Sequence, residues 1–294
     1  QRYNACDLCA YDCGVDRTAG ETGACKVDDT AYVSSYFDHH GEEDVLRGTN
    51  GSGTIFLAHC NMKCVFCQNF ETSHEAQGDP VTPDEIADMA LELQDQGCHN
   101  INFVSPTHHS PHLVKAIQIA KDRGLKLPIV WNCGGYERSE ILELLDGLVD
   151  IYMPDVKWSD DRAAATYSKA PGYWDNVTES LREMHRQVGV LDIDDTGLAT
   201  GGLLVRHLVM PNHVANAKKV LSFIAEEISQ DTFVNIMAQY RPHYKAKSED
   251  RYDDINRRIT ADEYQEVLDH ARSVGLERLE YDPSMAGDSI LRIS

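Results

Sequence analysis

From Gly53 onward the chain alternates between two hydrophobic rhythms. Short apolar, β-branched runs fall at 54–58, 100–104, 127–131, 151–153, 203–209 and 233–237 and predict strands. Between them, helical spacing predicts helices at about 83–96, from Ser110-Pro111 onward, and at about 138–146, 160–169, 174–188 and 213–229. The first helix carries a start signal: Thr82 as N-cap, Pro83 in the first turn and Glu85 three residues on. Its apolar positions Ile86, Ala87, Ala90, Leu91 and Leu93 form one stripe, and Gly97 ends it. Six strand–helix units in alternation predict an α/β domain with a parallel sheet.

Polar residues without periodicity cluster where these strands end: Ser105-Pro106-Thr107-His108-His109, Asn132-Cys133-Gly134-Gly135, Asp155 and Lys157, and Gln239-Tyr240-Arg241. Flanking the alternating region, 53–240, are a cysteine-rich arm at 1–52 and a C-terminal extension at 241–294. The arm includes a strand-like run at 31–36. The extension holds a polar loop at 241–259, either a lid over the open ends of the strands or a mobile segment. It then has a helix with Thr260 and Glu263 in capping-box spacing and a strand-like run at 279–281.

The net charge of −21 argues against a broad nucleic-acid surface, which needs clustered Lys and Arg. It fits a solvated acidic face or a salt-rich cell interior. No apolar run approaches the roughly 20 residues that span a bilayer. Of nine cysteines, seven fall into two tight sets, which points to metal ligation in a reducing cytoplasm rather than to disulfides. Cys6, Cys9, Cys13 and Cys25 form C-x2-C-x3-C-x11-C, enough to close an S4 site for zinc or an iron–sulfur cluster. Cys98 and Cys133 read as small buried residues, although Cys133 stands at a strand end.

The second set is Cys60, Cys64 and Cys67, spaced x3 and x2 after the first strand, with Phe66 before the last cysteine. Three thiolates are one short of the usual four for a [4Fe–4S] cluster, so one iron is left open. This stretch resembles the radical S-adenosylmethionine (SAM) superfamily, and 53–240 is most similar to the branch that contains pyruvate formate-lyase activating enzymes. The resemblance implies a partial (β/α)6 TIM-like barrel, a [4Fe–4S] cluster on Cys60, Cys64 and Cys67, and SAM chelating the open iron. It implies Phe66 near the adenine, Asp155 and Lys157 beside cofactor and substrate, and Arg206, His207 and Asn132 in polar contact with SAM. The family's G-G-E-like segment after strand two is replaced by Ser105-Pro106-Thr107-His108-His109. Backbone carbonyls, the Thr107 hydroxyl or a histidine such as His108 must then serve the amino group of SAM, and Gly134-Gly135-Tyr136-Glu137 reads as a turn. The resemblance further implies a flavodoxin- or ferredoxin-like electron donor, and hydrogen abstraction from a glycyl-radical-enzyme glycine or a smaller substrate, with Cys133 a candidate hydrogen-atom carrier. A non-catalytic iron–sulfur scaffold or electron carrier is the alternative.

Overall fold

The computed structural model describes residues 2–286; positions 287–294 of the expected extension lie outside the described residues. The chain opens with β1 (Ala31–His39), α1 (Asp44–Arg47), β2 (Ser52–Leu57), α2 (Phe70–Ser73), β3 (Asp79–Val81) and α3 (Pro83–Asp95). It continues with β4 (Ile101–Val104), α4 (Ser110–Asp122), β5 (Ile129–Cys133), α5 (Ser139–Leu142), β6 (Ile151–Pro154), α6 (Asp161–Ala163) and α7 (Tyr173–Val188). Last come β7 (Asp192–Ile193), β8 (Ala199–Leu208), α8 (Ala217–Phe223), β9 (Phe233–Met237), α9 (Lys245–Ser248), α10 (Ala261–Ser273) and β10 (Leu279–Tyr281).

The sheet runs β10-β9-β8-β6-β5-β4-β2-β1-β3 and does not close on itself. From β2 to β10 all pairs along this path are parallel. The six expected strands are all present, and β10 adds a seventh by pairing Leu279 with Val234. β1 continues past the expected 31–36 to His39 and pairs antiparallel with β2, so this part of the arm belongs to the sheet. Both capping boxes form, at Thr82–Glu85 and at Thr260–Glu263. The expected helix at 213–229 is interrupted. Asn212 (φ 57°) and Asn216 (φ 50°) turn left-handed, α8 starts only at Ala217, and a π turn carries it to Ile228.

Alternation along the strands sorts their side chains into two layers. Trp131, Tyr152, Leu203 and Val205 join the main core with the helices. Their neighbours Val130, Ile151, Met153 and Leu204 face the concave side and pack with Leu46, Leu191 and Ala199. Leu46 belongs to α1, so the segment between β1 and β2 plugs the lower half of the lumen. Higher on the same faces, toward the C-terminal strand ends, the residues turn polar: Asn132, Asp155, Arg206 and Asn235. The fold thereby places a polar floor above an apolar plug.

Candidate functional site

Above that floor lies a cavity of ≈350 Å³, within the roughly 300–1,000 Å³ usual for ligand pockets. Cys60, Cys64 and Cys67 all line it, together with Phe66, Asn132, Cys133, Gly134, Asp155, Lys157 and Arg206. The cysteine loop is pinned from several sides. Lys63 N donates to Ser168 O (2.9 Å), Val65 N to Tyr167 O (2.8 Å) and Asn61 Nδ2 to Tyr136 O (2.9 Å). Cys64 Sγ lies 3.0 Å from Ser168 Oγ, which also accepts from Trp158 Nε1 (2.8 Å); Cys67 Sγ lies 3.1 Å from Ser73 Oγ. Burial pushes the Cys64 thiol up to about 12, against the pull of the Lys157 ammonium. Such thiols ionise when a metal takes them, releasing protons.

The floor is a charge network. Arg206 Nε donates to Asp155 Oδ1 (2.6 Å) and Arg206 Nη2 to Asn132 Oδ1 (2.7 Å), while Lys157 Nζ pairs with the other Asp155 oxygen. Burial alone would raise Asp155, but Arg206 and Lys157 outweigh it and hold the carboxyl at about 2. Two residues absent from the sequence reading complete the network. Glu42 and Glu43 rise from the plug to 3.4 Å and 3.8 Å from Arg206 Nη1, and Asn235 Nδ2 donates to Glu43 (2.9 Å). Burial raises Glu42 well above the usual carboxylate range, opposed by Arg206 and reinforced by Glu43. No local pattern marks this pair, because its partner lies about 160 positions away along the chain.

Three expected contact residues are placed elsewhere. His207 follows Arg206 on β8, and alternation sends it to the opposite face, where Nδ1 donates to Val156 O (2.6 Å). Thr107 and His108 sit in a tight buried turn that faces away from the cavity. Thr107 donates to Glu137 Oε1 (2.6 Å), and the imidazoles of His108 and His109 both donate to Ala58 O (3.0 and 3.2 Å). Burial holds His108 neutral, at about 3. Ser105, in left-handed backbone (φ 57°), takes the cavity wall in their place. The chain bends at Gly134-Gly135: Gly135 has φ 72°, and a Cβ at Gly134 would lie 2.5 Å from Met62 Sδ. Glu137 is buried, which raises it to about 7. Phe66 packs edge-on against Trp158 and Tyr240 at the cavity side.

The mouth is covered on one side. Tyr244 stacks on Phe70 (4.8 Å between ring centres), Ala246 N donates to Val65 O (2.8 Å), and Tyr240 Oη donates to Ile255 O (2.8 Å). A second cavity of ≈650 Å³ lies beside the first and shares Gln68, Gln239 and Tyr240 with it.

In the arm, Cys6, Cys9 and Cys25 are buried and Cys13 half-buried, and all are free thiols. A knuckle of backbone bonds holds the first three: Cys6 N to Val15 O (2.9 Å), Gly14 N to Cys6 O (2.9 Å) and Asp12 N to Cys9 O (3.0 Å). Among the described residues, no three His, Cys, Asp or Glu side chains converge on a position for a single ion. The donor chemistry at Cys60, Cys64 and Cys67 fits a multi-iron cluster, which spreads its thiolates around a cube.

Comparison with known proteins agrees with this arrangement. The radical SAM superfamily model matches residues 54–194. The uncharacterized protein MJ0674 of Methanocaldococcus jannaschii is 35% identical over 290 residues, covering 95% of this chain and 78% of its own. Two solved structures share the fold at low identity. The [FeFe]-hydrogenase maturase HydG from Carboxydothermus hydrogenoformans has a TM-score of 0.53 at 12% identity, covering 78% of this chain and 52% of that one. The anSMEcpe protein with bound AdoMet and a peptide has a TM-score of 0.50 at 10% identity, covering 74% and 56%. This chain therefore spans little more than half of each of those two. The chain belongs to the radical SAM superfamily, whose chemistry is the cleavage of SAM to a radical on a [4Fe–4S] cluster.

Proposed function

We propose that this protein is a radical SAM enzyme that abstracts hydrogen from a small molecule or a short free peptide, rather than from the glycyl loop of a folded partner. The observation that carries the reading is one cavity, at the C-terminal ends of the strands, lined by Cys60, Cys64, Cys67 and Cys133 and by the Asp155–Lys157–Arg206–Asn132 network. When bound there, the cluster and SAM supply a 5′-deoxyadenosyl radical. Cys60, Cys64 and Cys67 hold the cluster, and Phe66 offers a ring face to the adenine. Arg206 and Asn132 present donors to a carboxylate and ribose, and Asp155 fixes Arg206 and Lys157 in place. Cys133 carries a neutral thiol into the cavity, because burial and then Glu137 raise it far above the usual range. An electron donor of flavodoxin or ferredoxin type completes the system.

The segment packed along one side of the mouth narrows it, which favours a small substrate over a protein loop and so over the glycyl-radical activase role. The discriminating experiment uses anaerobic protein with reductant and SAM, supplied with extract from deuterium-grown cells. Ultrafiltration divides the extract into small solutes and retained protein. Deuterium entering 5′-deoxyadenosine from the small-solute fraction is the expected result. Label arriving only from retained protein would restore the activase reading. No deoxyadenosine from either fraction would favour the iron–sulfur scaffold.

A further inference from the structure

Arg17 is fully buried, yet none of its partners is a carboxylate. Its Nε donates to Asp28 O (2.7 Å) and Nη1 to His108 O (2.9 Å), both backbone carbonyls. The guanidinium lies 4.3 Å from the Tyr3 ring centre, and Nη2 has no partner at all. A buried guanidinium without a counter-charge costs several kcal/mol. Its side-chain hydrogen-bond partner is a sulfur: Nη1 lies 3.9 Å from Cys6 Sγ, and the guanidinium acts on Cys25 as well. Neutral thiols would not balance it. Four thiolates around a divalent core would, because that centre keeps a net negative charge.

Zinc and an iron–sulfur cluster share that charge and differ in geometry. A lone ion draws its ligands onto one point, and no such point exists here among the described residues. The four cysteines nevertheless surround a common region: Cys9 interacts electrostatically with Cys13 and Cys25, and Cys25 with Cys6 and Cys13. Gly23 lies against Cys13, where any Cβ would meet its Sγ at 2.7 Å. Cys60, Cys64 and Cys67 likewise line one region, and among the described residues they do not meet at a point either. We propose that Cys6, Cys9, Cys13 and Cys25 hold an iron–sulfur cluster, and that Arg17 is its buried counter-ion and sets its potential. The reading does not depend on radical chemistry in the barrel. It joins the two cysteine sets physically, since His108 takes the Arg17 bond on its carbonyl and gives a bond to Ala58, two residues before Cys60.

The test uses the full chain with Cys60, Cys64 and Cys67 all changed to Ala, purified anaerobically as expressed, without added metal. Roughly four irons and four sulfides per chain are expected, with an iron–sulfur Mössbauer signature. One zinc and no iron would overturn the cluster assignment. In the same background Arg17→Met should shift the midpoint potential to more negative values, because the reduced cluster loses a nearby positive charge, and Arg17→Lys should restore most of it. A loaded Arg17→Met protein with unmoved potential would overturn the counter-ion role. If Arg17→Met does not load, Arg17→Gln against Arg17→Lys gives the same decision.

Discussion

The two cysteine sets use the same atom in opposite settings. Cys60, Cys64 and Cys67 line a cavity with room for a second molecule, and Lys157 acts on the buried Cys64 from the cavity floor. Cys6 is shut into a small core with Tyr3, Leu8 and Ile141, with Arg17 against its sulfur, and Cys9 and Cys25 are buried as well. Three thiols facing open space suit reaction, because a coordination position stays free. Four thiols, three of them buried, suit a centre that substrate never touches. The two sets differ both in the count of sulfurs and in their surroundings, and the proposed roles rest on the two together.

The sharpest way to break this comparison is Cys64→Ala. It should reduce 5′-deoxyadenosine formation to background, while metal analysis finds the N-terminal centre retained. Loss of both centres together would show that the two are not separable. Next in size is Asp155→Ala, which leaves Arg206 and Lys157 without their shared carboxylate. The carboxyl keeps about a fifth of its surface exposed, so the cost should fall near 3 kcal/mol in urea unfolding, at the low end for breaking a buried pair. The wild-type pH profile carries the same signature. Asp155 is held at about 2 against an ordinary 3.8, so its contribution is complete above pH 3.8 and is lost as pH falls through 2. Asp155→Ala should flatten that acid limb.

Glu42 works with the opposite sign. Its folded carboxyl is raised above the ordinary 4.5, so the native state holds the extra proton and stability declines as pH rises from 4.5. Glu42→Gln should remove that decline while keeping the neutral form's shape, as thermal unfolding across neutral pH would show. A slope unchanged from wild type would place the titrating proton elsewhere. The smallest effect belongs to a site remote from both cysteine sets. Thr260→Ala removes the cap of α10 and should cost about 1 kcal/mol, a Tm drop of roughly 2–4 °C.

What the sequence made legible was local or periodic. The six parallel strands, the capping boxes and the Cys60–Cys67 loop depend on neighbours within a few residues, and each was readable as spacing. Asp155, Lys157, Arg206 and Asn132 were readable as polar residues where apolar strands end, and the structure brings all four onto one floor. His207 was a misreading that strand alternation itself corrects, since adjacent residues on β8 cannot share a face. Glu42 and Glu43 were illegible, because only the β1–β2 connection, folded into the lumen, delivers them to Arg206. Arg17 was legible as a residue but not as a buried charge, for burial in the arm is decided by packing against His108, about 90 positions away.

The open sheet leaves one more trace. Its outer edge is β3, three residues long, with Pro80 at the centre opposite Tyr32 and with Asp79 and Pro80 facing solvent. Proline has no N–H to offer, so an approaching strand would find a gap in the middle of its hydrogen-bond ladder. An unclosed barrel is exposed to edge-to-edge stacking between copies, and this short, proline-blunted strand, on a chain carrying −21, opposes the first step of such aggregation.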